Sequence, residues 1–176
     1  MLGDSITEQA EWDSLLPDLP IVNHGYSGHT TEQLVSLAES VGDTCPQAVL
    51  VLTGTNDICD GRWPEWTATQ LRQLLEAFAK RSPDTIVVVQ TVLLRDDHPT
   101  AAHATNDAMR AVAASRGVRV LDLHGACDNG AGSLRSHETT DGVHLSTSGY
   151  RRWAALLAPL IASFKVVGDD EGSSGS

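Results

Sequence analysis

The sequence predicts an α/β fold of three layers (α/β/α), a parallel β-sheet covered by helices on both faces. Three observations lead there. Strand-like apolar runs alternate with amphipathic helical stretches along the chain, the pattern of right-handed βαβ crossovers. Two of those runs, residues 48–52 (AVLVL) and 85–91 (TIVVVQT), are almost continuously apolar, as strands buried on both faces require. Polar, glycine-bearing clusters follow several of the strands, where parallel sheets place their ligand sites.

The elements follow in order. Gly3-Asp4-Ser5 opens the chain after Met1 and Leu2, and residues 7–16 read as a helix with Thr7 as cap and Pro17 as stop. Residues 21–23 are a short strand, and the two glycines of residues 25–28 (GYSG) call for backbone that bends or approaches a neighbour closely. Residues 30–41 form a helix whose Thr-x-x-Gln opening is a capping-box pattern. The buried strand 48–52 ends at Gly54, and a Trp-bearing loop precedes a helix over 65–80. Strand 85–91 is followed by a polar loop, a helix over 101–115 closed by Gly117, and a last strand over 118–121. Residues 124–142 are rich in Gly, Ser, Asp and Asn and read as a long loop; an amphipathic helix over 146–164 completes the sheet's cover.

The expected organisation is a single domain over residues 1–167, followed by a disordered acidic and Gly/Ser-rich tail over 168–176 (GDDEGSSGS). The net charge of −11 disfavours nucleic acid and anionic lipid as partners. No run approaches the roughly 18 apolar residues of a membrane span. Three scattered cysteines, Cys45, Cys59 and Cys127, without a CxxC pair, point to reduced thiols and a cytoplasmic setting, with secretion left open if residues precede Met1. Seven histidines invite a metal, but none has metal-ligand spacing on one element, so neither metal nor cofactor is expected.

Four clusters fall at predicted strand ends or helix starts: Gly3-Asp4-Ser5, residues 23–28, Gly54-Thr55-Asn56-Asp57 and Asp141-Gly142-Val143-His144. Together they hold the parts of an acyl-transfer site. Ser5 is the candidate nucleophile, His144 its base, and Asp141 the acceptor that holds the imidazole tautomer. The Ser5 and Gly28 backbone N–H groups and the Asn56 amide are candidate oxyanion donors. Trp63, Leu93, Leu94 and His29 are candidate walls of the substrate site, whereas Trp12 and Trp153 lie on helix faces expected to be core. Asp4 and Asp57 are expected to support their own segments.

These blocks resemble the SGNH hydrolases, the GDSL esterase/lipase family, which carries Ser, Gly, Asn and His in four separate blocks. The matches are Gly3-Asp4-Ser5, Gly28, Gly54-Thr55-Asn56-Asp57 and Asp141-Gly142-Val143-His144, in order and spanning nearly the whole chain. The stretch NHGYSGHTT (residues 23–31) is most similar to the compact bacterial branch, of the platelet-activating-factor acetylhydrolase type. The resemblance implies a flavodoxin-like, five-stranded parallel sheet in the order 2-1-3-4-5. It also implies hydrolysis of esters or thioesters through an acyl-enzyme, without metal. Only Met1 and Leu2 stand before the first block, where the family carries four to six apolar residues, so the first strand is expected to be short.

The expected function is therefore a serine esterase for short, acetyl-type esters, its partner a small-molecule ester. Carbohydrate deacetylation, acyl transfer and thioester cleavage use the same triad and remain alternatives. A non-catalytic binding module is the alternative of another class. A homo-oligomer stays open, because a neighbour's loop could wall off so shallow a site.

Overall fold

The computed structural model describes residues 1–93, 95 and 97–165. Five strands form one parallel sheet: β1 (Leu2–Gly3), β2 (His24–Gly25), β3 (Ala48–Leu52), β4 (Ile86–Gln90) and β5 (Arg119–Leu121). Their order is β2-β1-β3-β4-β5, as expected. β1 is a stub of two residues, yet it is central: Leu2 pairs with His24 on one side and Val51 on the other.

Alternation along β3 sorts the core into two layers. Leu50 and Leu52 join the cluster that holds Ile6, Trp12, Leu123, Trp153 and Leu157. Val49 and Val51 join the opposite cluster, with Leu34, Leu71, Leu74, Phe78 and Met109. The first layer is built by helices α1 (Ser5–Glu8), α2 (Trp12–Leu15), α7 (Leu123–Cys127) and α8 (Thr147–Lys165). The second is built by α3 (Thr31–Gly42), α5 (Pro64–Arg81) and α6 (Pro99–Ser115). Trp12 and Trp153 are core residues that meet edge to face, 4.9 Å between ring centroids. None of the described helices is long and apolar enough to cross a membrane.

The structure departs from the sequence reading in places where tertiary partners override local pattern. Residues 7–16 are two short helices rather than one. Asp4, not Thr7, caps the first, its carboxylate accepting from Ile6 N–H at 3.0 Å. The Trp12 indole donates to Thr7 C=O (3.3 Å), taking up a carbonyl at the end of α1, and the chain restarts at Trp12. The second strand lies at His24–Gly25 instead of 21–23, because His24 N–H and Tyr26 N–H donate to Met1 C=O (2.8 Å) and Gly3 C=O (2.9 Å). Two five-residue helices, α4 (Thr55–Cys59) and α7, occupy stretches read mainly as loop. The capping box of α3 is present, Gln33 Oε1 accepting from Thr30 N–H at 2.9 Å. The three cysteines are free; Cys127 is buried. The tail over 168–176 lies outside the described residues.

Candidate active site

Ser5 is the first residue of α1, one residue after β1, so a two-residue strand delivers it to the carboxyl-end rim. His144 arrives from the loop before α8, and its Nε2 lies 3.0 Å from Ser5 Oγ. His144 Nδ1 is 2.7 Å from Asp141 Oδ2. A carboxylate can only accept, so Nδ1 carries the proton and Nε2 is the acceptor that faces the serine hydroxyl. Asp141 Oδ1 accepts from His144 N–H (2.7 Å) and Val143 N–H (2.9 Å). The His144 backbone N–H, then the His144 side chain, hold this carboxyl down at about 2, although it is half exposed.

The second and third blocks meet beside this chain of bonds. Gly25 and Gly28 fulfil the two halves of the glycine expectation. A Cβ at Gly25 would fall 2.2 Å from Glu8 N, a close approach of β2 to α1, and Gly28 bends the chain at φ +78° in open space. Asn56, in α4, donates from Nδ2 to His29 C=O at 2.9 Å, which ties the third block to the second and fixes the plane of its amide. Its other N–H is not used in that bond.

Asp57 is fully buried and serves as a tie. Its Oδ2 accepts from Thr31 N–H (3.0 Å) and Thr31 Oγ1 (3.1 Å), joining α4 to the start of α3, while burial pushes its carboxyl up. Asp4 is fully buried as well; burial raises it to about 6. Arg95 carries support for which no local pattern is a signal. It is 4% exposed, grips Asp97 with two nitrogens (3.0 and 2.7 Å) and reaches Thr55 C=O at 3.4 Å. Tyr150 was legible only as an apolar position of α8, but its hydroxyl donates to Ile6 C=O at 2.8 Å, a bond from α8 into α1.

The candidate wall residues separate. Trp63 is 73% exposed at the start of α5. His29 stacks on Tyr26, with centroids 5.1 Å apart. Leu93 corrects the expectation: it is 1% exposed and packs in the core. The cause lies one residue earlier, where the Asn106 side chain binds both Val92 N–H (2.7 Å) and Val92 C=O (2.9 Å) and draws the chain inward after β4. Leu94 lies outside the described residues. Among the described residues, no group of three or more His, Cys, Asp or Glu is placed to hold a metal ion.

Comparison with known proteins identifies the family. The GDSL-like lipase/acylhydrolase family matches residues 1–152. Among curated relatives, the platelet-activating factor acetylhydrolase IB subunit alpha1 of Bos taurus is 26% identical over 186 residues, covering 99% of this chain and 78% of the relative. The alpha2 subunit of Rattus norvegicus is 23% identical over 171 residues, covering 91% and 74%. Among solved structures, a GDSL-like lipase from Bacteroides thetaiotaomicron superposes with a TM-score of 0.80 at 24% identity, covering 92% of this chain and 86% of that one. A lipase/acylhydrolase from Enterococcus faecalis gives 0.76 at 22% identity, covering 92% and 93%. At those identities the structures speak for the fold alone, and it is the family match over most of the chain that settles membership: the chain belongs to the GDSL-like lipase/acylhydrolase family and is a carboxylic ester hydrolase.

Proposed function

We propose that this hydrolase is a serine esterase that cleaves short, acetyl-type esters through an acyl-enzyme on Ser5. The observation that carries the reading is the unbroken chain Ser5 Oγ–His144 Nε2 (3.0 Å) and His144 Nδ1–Asp141 Oδ2 (2.7 Å). His144 Nε2 takes the hydroxyl proton as Oγ attacks the ester carbonyl. The developing oxyanion is met by Ser5 N–H, Gly28 N–H and the second N–H of Asn56 Nδ2. Asp141 stabilises the imidazolium, which then gives its proton to the leaving alcohol as the C–O bond breaks. Water, deprotonated by His144, attacks the acyl carbonyl; the carboxylic acid leaves and Ser5 regains its proton.

Two things favour a short acyl group. The rim around the serine is open, with Gly28 and Asp141 exposed. A concavity of about 510 Å³, lined by Leu75, Ile86, Val118 and Phe164, sits at the amino ends of β4 and β5, the opposite end of the sheet from Ser5. The relatives' own name, acetylhydrolase, agrees. The test is a series of p-nitrophenyl esters from acetate to laurate on wild type and Ser5→Ala. Acetate should be the fastest substrate, and the variant should lose on the order of 10⁴-fold or more in kcat. Equal rates for the two proteins would overturn the mechanism; a preference for laurate would overturn the substrate class.

Carbohydrate deacetylation is the second reading. It is favoured by the exposed Trp63 and the stacked Tyr26–His29 pair, since flat aromatic faces suit sugar rings. Release of acetate from acetylated oligosaccharides at a higher kcat/KM than from p-nitrophenyl acetate would move the assignment there.

A further inference from the structure

We propose that helix α8 sets the distance between Ser5 and His144, with Glu138 and Arg152 as positioning residues on the histidine side and Tyr150 on the serine side. This rests on the reading of Ser5 and His144 as nucleophile and base. The two residues are 139 positions apart in the chain. Among the described residues, the Ser5–His144 bond is the one hydrogen bond that joins α1 directly to the loop carrying the histidine. A single part-buried bond between two side chains does not fix the separation of the segments that carry them, so the two partners are held from elsewhere.

The histidine stands on a small closed hairpin, residues 138–146. Thr139 and Leu145 form an antiparallel bridge, Ser146 N–H donates to Glu138 C=O (2.9 Å), and Thr140 N–H donates to His144 C=O (3.0 Å). Thr139 Oγ1 donates to His144 C=O (2.8 Å) and accepts from Gly142 N–H (2.8 Å). The hairpin is therefore stiff within itself, Asp141 included. Leu145, 3% exposed, seats it in the core, but apolar contact fixes depth rather than direction.

Direction comes from Glu138. Its carboxylate is 2% exposed and turned inward, where Oε1 accepts from Arg152 Nε of α8 at 2.5 Å. Arg135 reaches Oε2 at 3.4 Å, and His137 Nε2 lies 3.6 Å from Oε1. A buried carboxylate with charged partners is costly to break on one side, so this contact is a firm one. A Cβ at Gly149 would fall 2.3 Å from Glu138 C=O, so α8 and the hairpin base also touch along their backbones. Two residues before Arg152, Tyr150 donates to Ile6 C=O in α1; one residue after it, the Trp153 indole donates to Gln90 Oε1 at 2.6 Å and anchors α8 to the sheet. Three side chains within one turn of α8, Tyr150, Arg152 and Trp153, thus hold the nucleophile's helix, the base's hairpin and β4 in fixed relation.

The experiment is steady-state kinetics on p-nitrophenyl acetate, well below the melting temperature, together with proton NMR of the downfield His144 Nδ1–H signal. Glu138→Gln should lower kcat roughly 10- to 100-fold, as a displacement of about 1 Å does, and leave KM within about twofold. Its Nδ1–H signal should persist, because the Asp141–His144 bond lies inside the hairpin. Tyr150→Phe should lower kcat in the same sense from the serine side. Should Glu138→Gln fail to fold, Arg152→Lys decides, with an expected loss of about 3- to 10-fold in kcat at unchanged KM. A kcat within about twofold of wild type overturns the proposal, and so does loss of the Nδ1–H signal together with kcat, which means the hairpin itself has come apart. Ser5→Ala turning over like wild type would instead sink the reading of Ser5 as nucleophile.

Discussion

Asp4 and Asp141 stand on the two sides of the Ser5–His144 bond and are held in opposite ways. Asp4, next to Ser5, is fully buried; its Oδ1 accepts one bond, from Ile6 N–H, and its Oδ2 has no partner among the described residues. Burial pushes it up to about 6, with nearby His144 pulling down and Asp57 pushing further up. Asp141 is half exposed and accepts three bonds, all within one short segment, and it falls to about 2. The difference shows that donors, rather than burial, make a carboxylate a dependable anion. The exposed aspartate stays ionised across the working range and can hold an imidazolium. The buried one cannot serve as a steady charge below about pH 6, so its part is to cap the helix that starts at Ser5.

Breaking the exposed side has the largest expected effect. Asp141→Asn keeps the shape of the segment but offers only one oxygen to three donors, and its amide favours the wrong imidazole tautomer. A loss on the order of 10³- to 10⁴-fold in kcat is expected, with KM little changed. Steady-state kinetics at neutral pH checks this, and a loss below about tenfold would show that Asp141 does not govern the base.

The contrast between the two aspartates was not legible in the sequence, although the constellation was. Ser5, Gly28, Asn56, Asp141 and His144 sit in short blocks at element ends, and the structure brings Ser5, His144 and Asp141 into one bonded chain. β3 and β4 were legible because strands buried on both faces are almost continuously apolar. What stayed hidden depends on partners distant in the chain. β2 forms where the carbonyls of Met1 and Gly3 are, not where the apolar residues are. α4 and α7, at five residues each, are too short for a helical period to show. Asp4 and Asp141 each lie beside a glycine, and nothing local says that one is fully buried and the other half exposed. Glu138 reads as one more polar residue of a loop rich in Gly, Ser, Asp and Asn; only packing turns it inward.

The buried side is tested by stability. The folded form raises Asp4 from 3.8 to about 6, so it binds more protons than the unfolded chain between those values. Stability from this group is then present at low pH and lost as pH rises from about 4 to about 6, with a constant cost of buried charge above that. Asn caps a helix as well as Asp does and does not ionise. Asp4→Asn should therefore match wild type at about pH 4 and exceed it by up to about 3 kcal/mol at about pH 8, as read by urea unfolding. A variant less stable than wild type at the higher pH would show that Asp4 is held by a charge-dependent contact rather than penalised by burial.

The smallest effect sharpens the comparison from the other end. Asp141 is depressed from 3.8 to about 2, so its contribution is present above the unfolded value and lost as pH falls through that window. Its side chain is half exposed, so water screens the interaction and the loss should stay under about 1 kcal/mol. The two aspartates thus act in adjoining windows with opposite signs: from about 6 down to about 4 stability rises through Asp4, and from about 4 down to about 2 it falls through Asp141. Asp141→Asn should flatten only the lower limb of a melting-temperature profile and leave the upper one intact. If the variant lowered the melting temperature equally at all pH values, the three hydrogen bonds would be acting through shape alone, and the charge of Asp141 would matter to the imidazole and not to the fold.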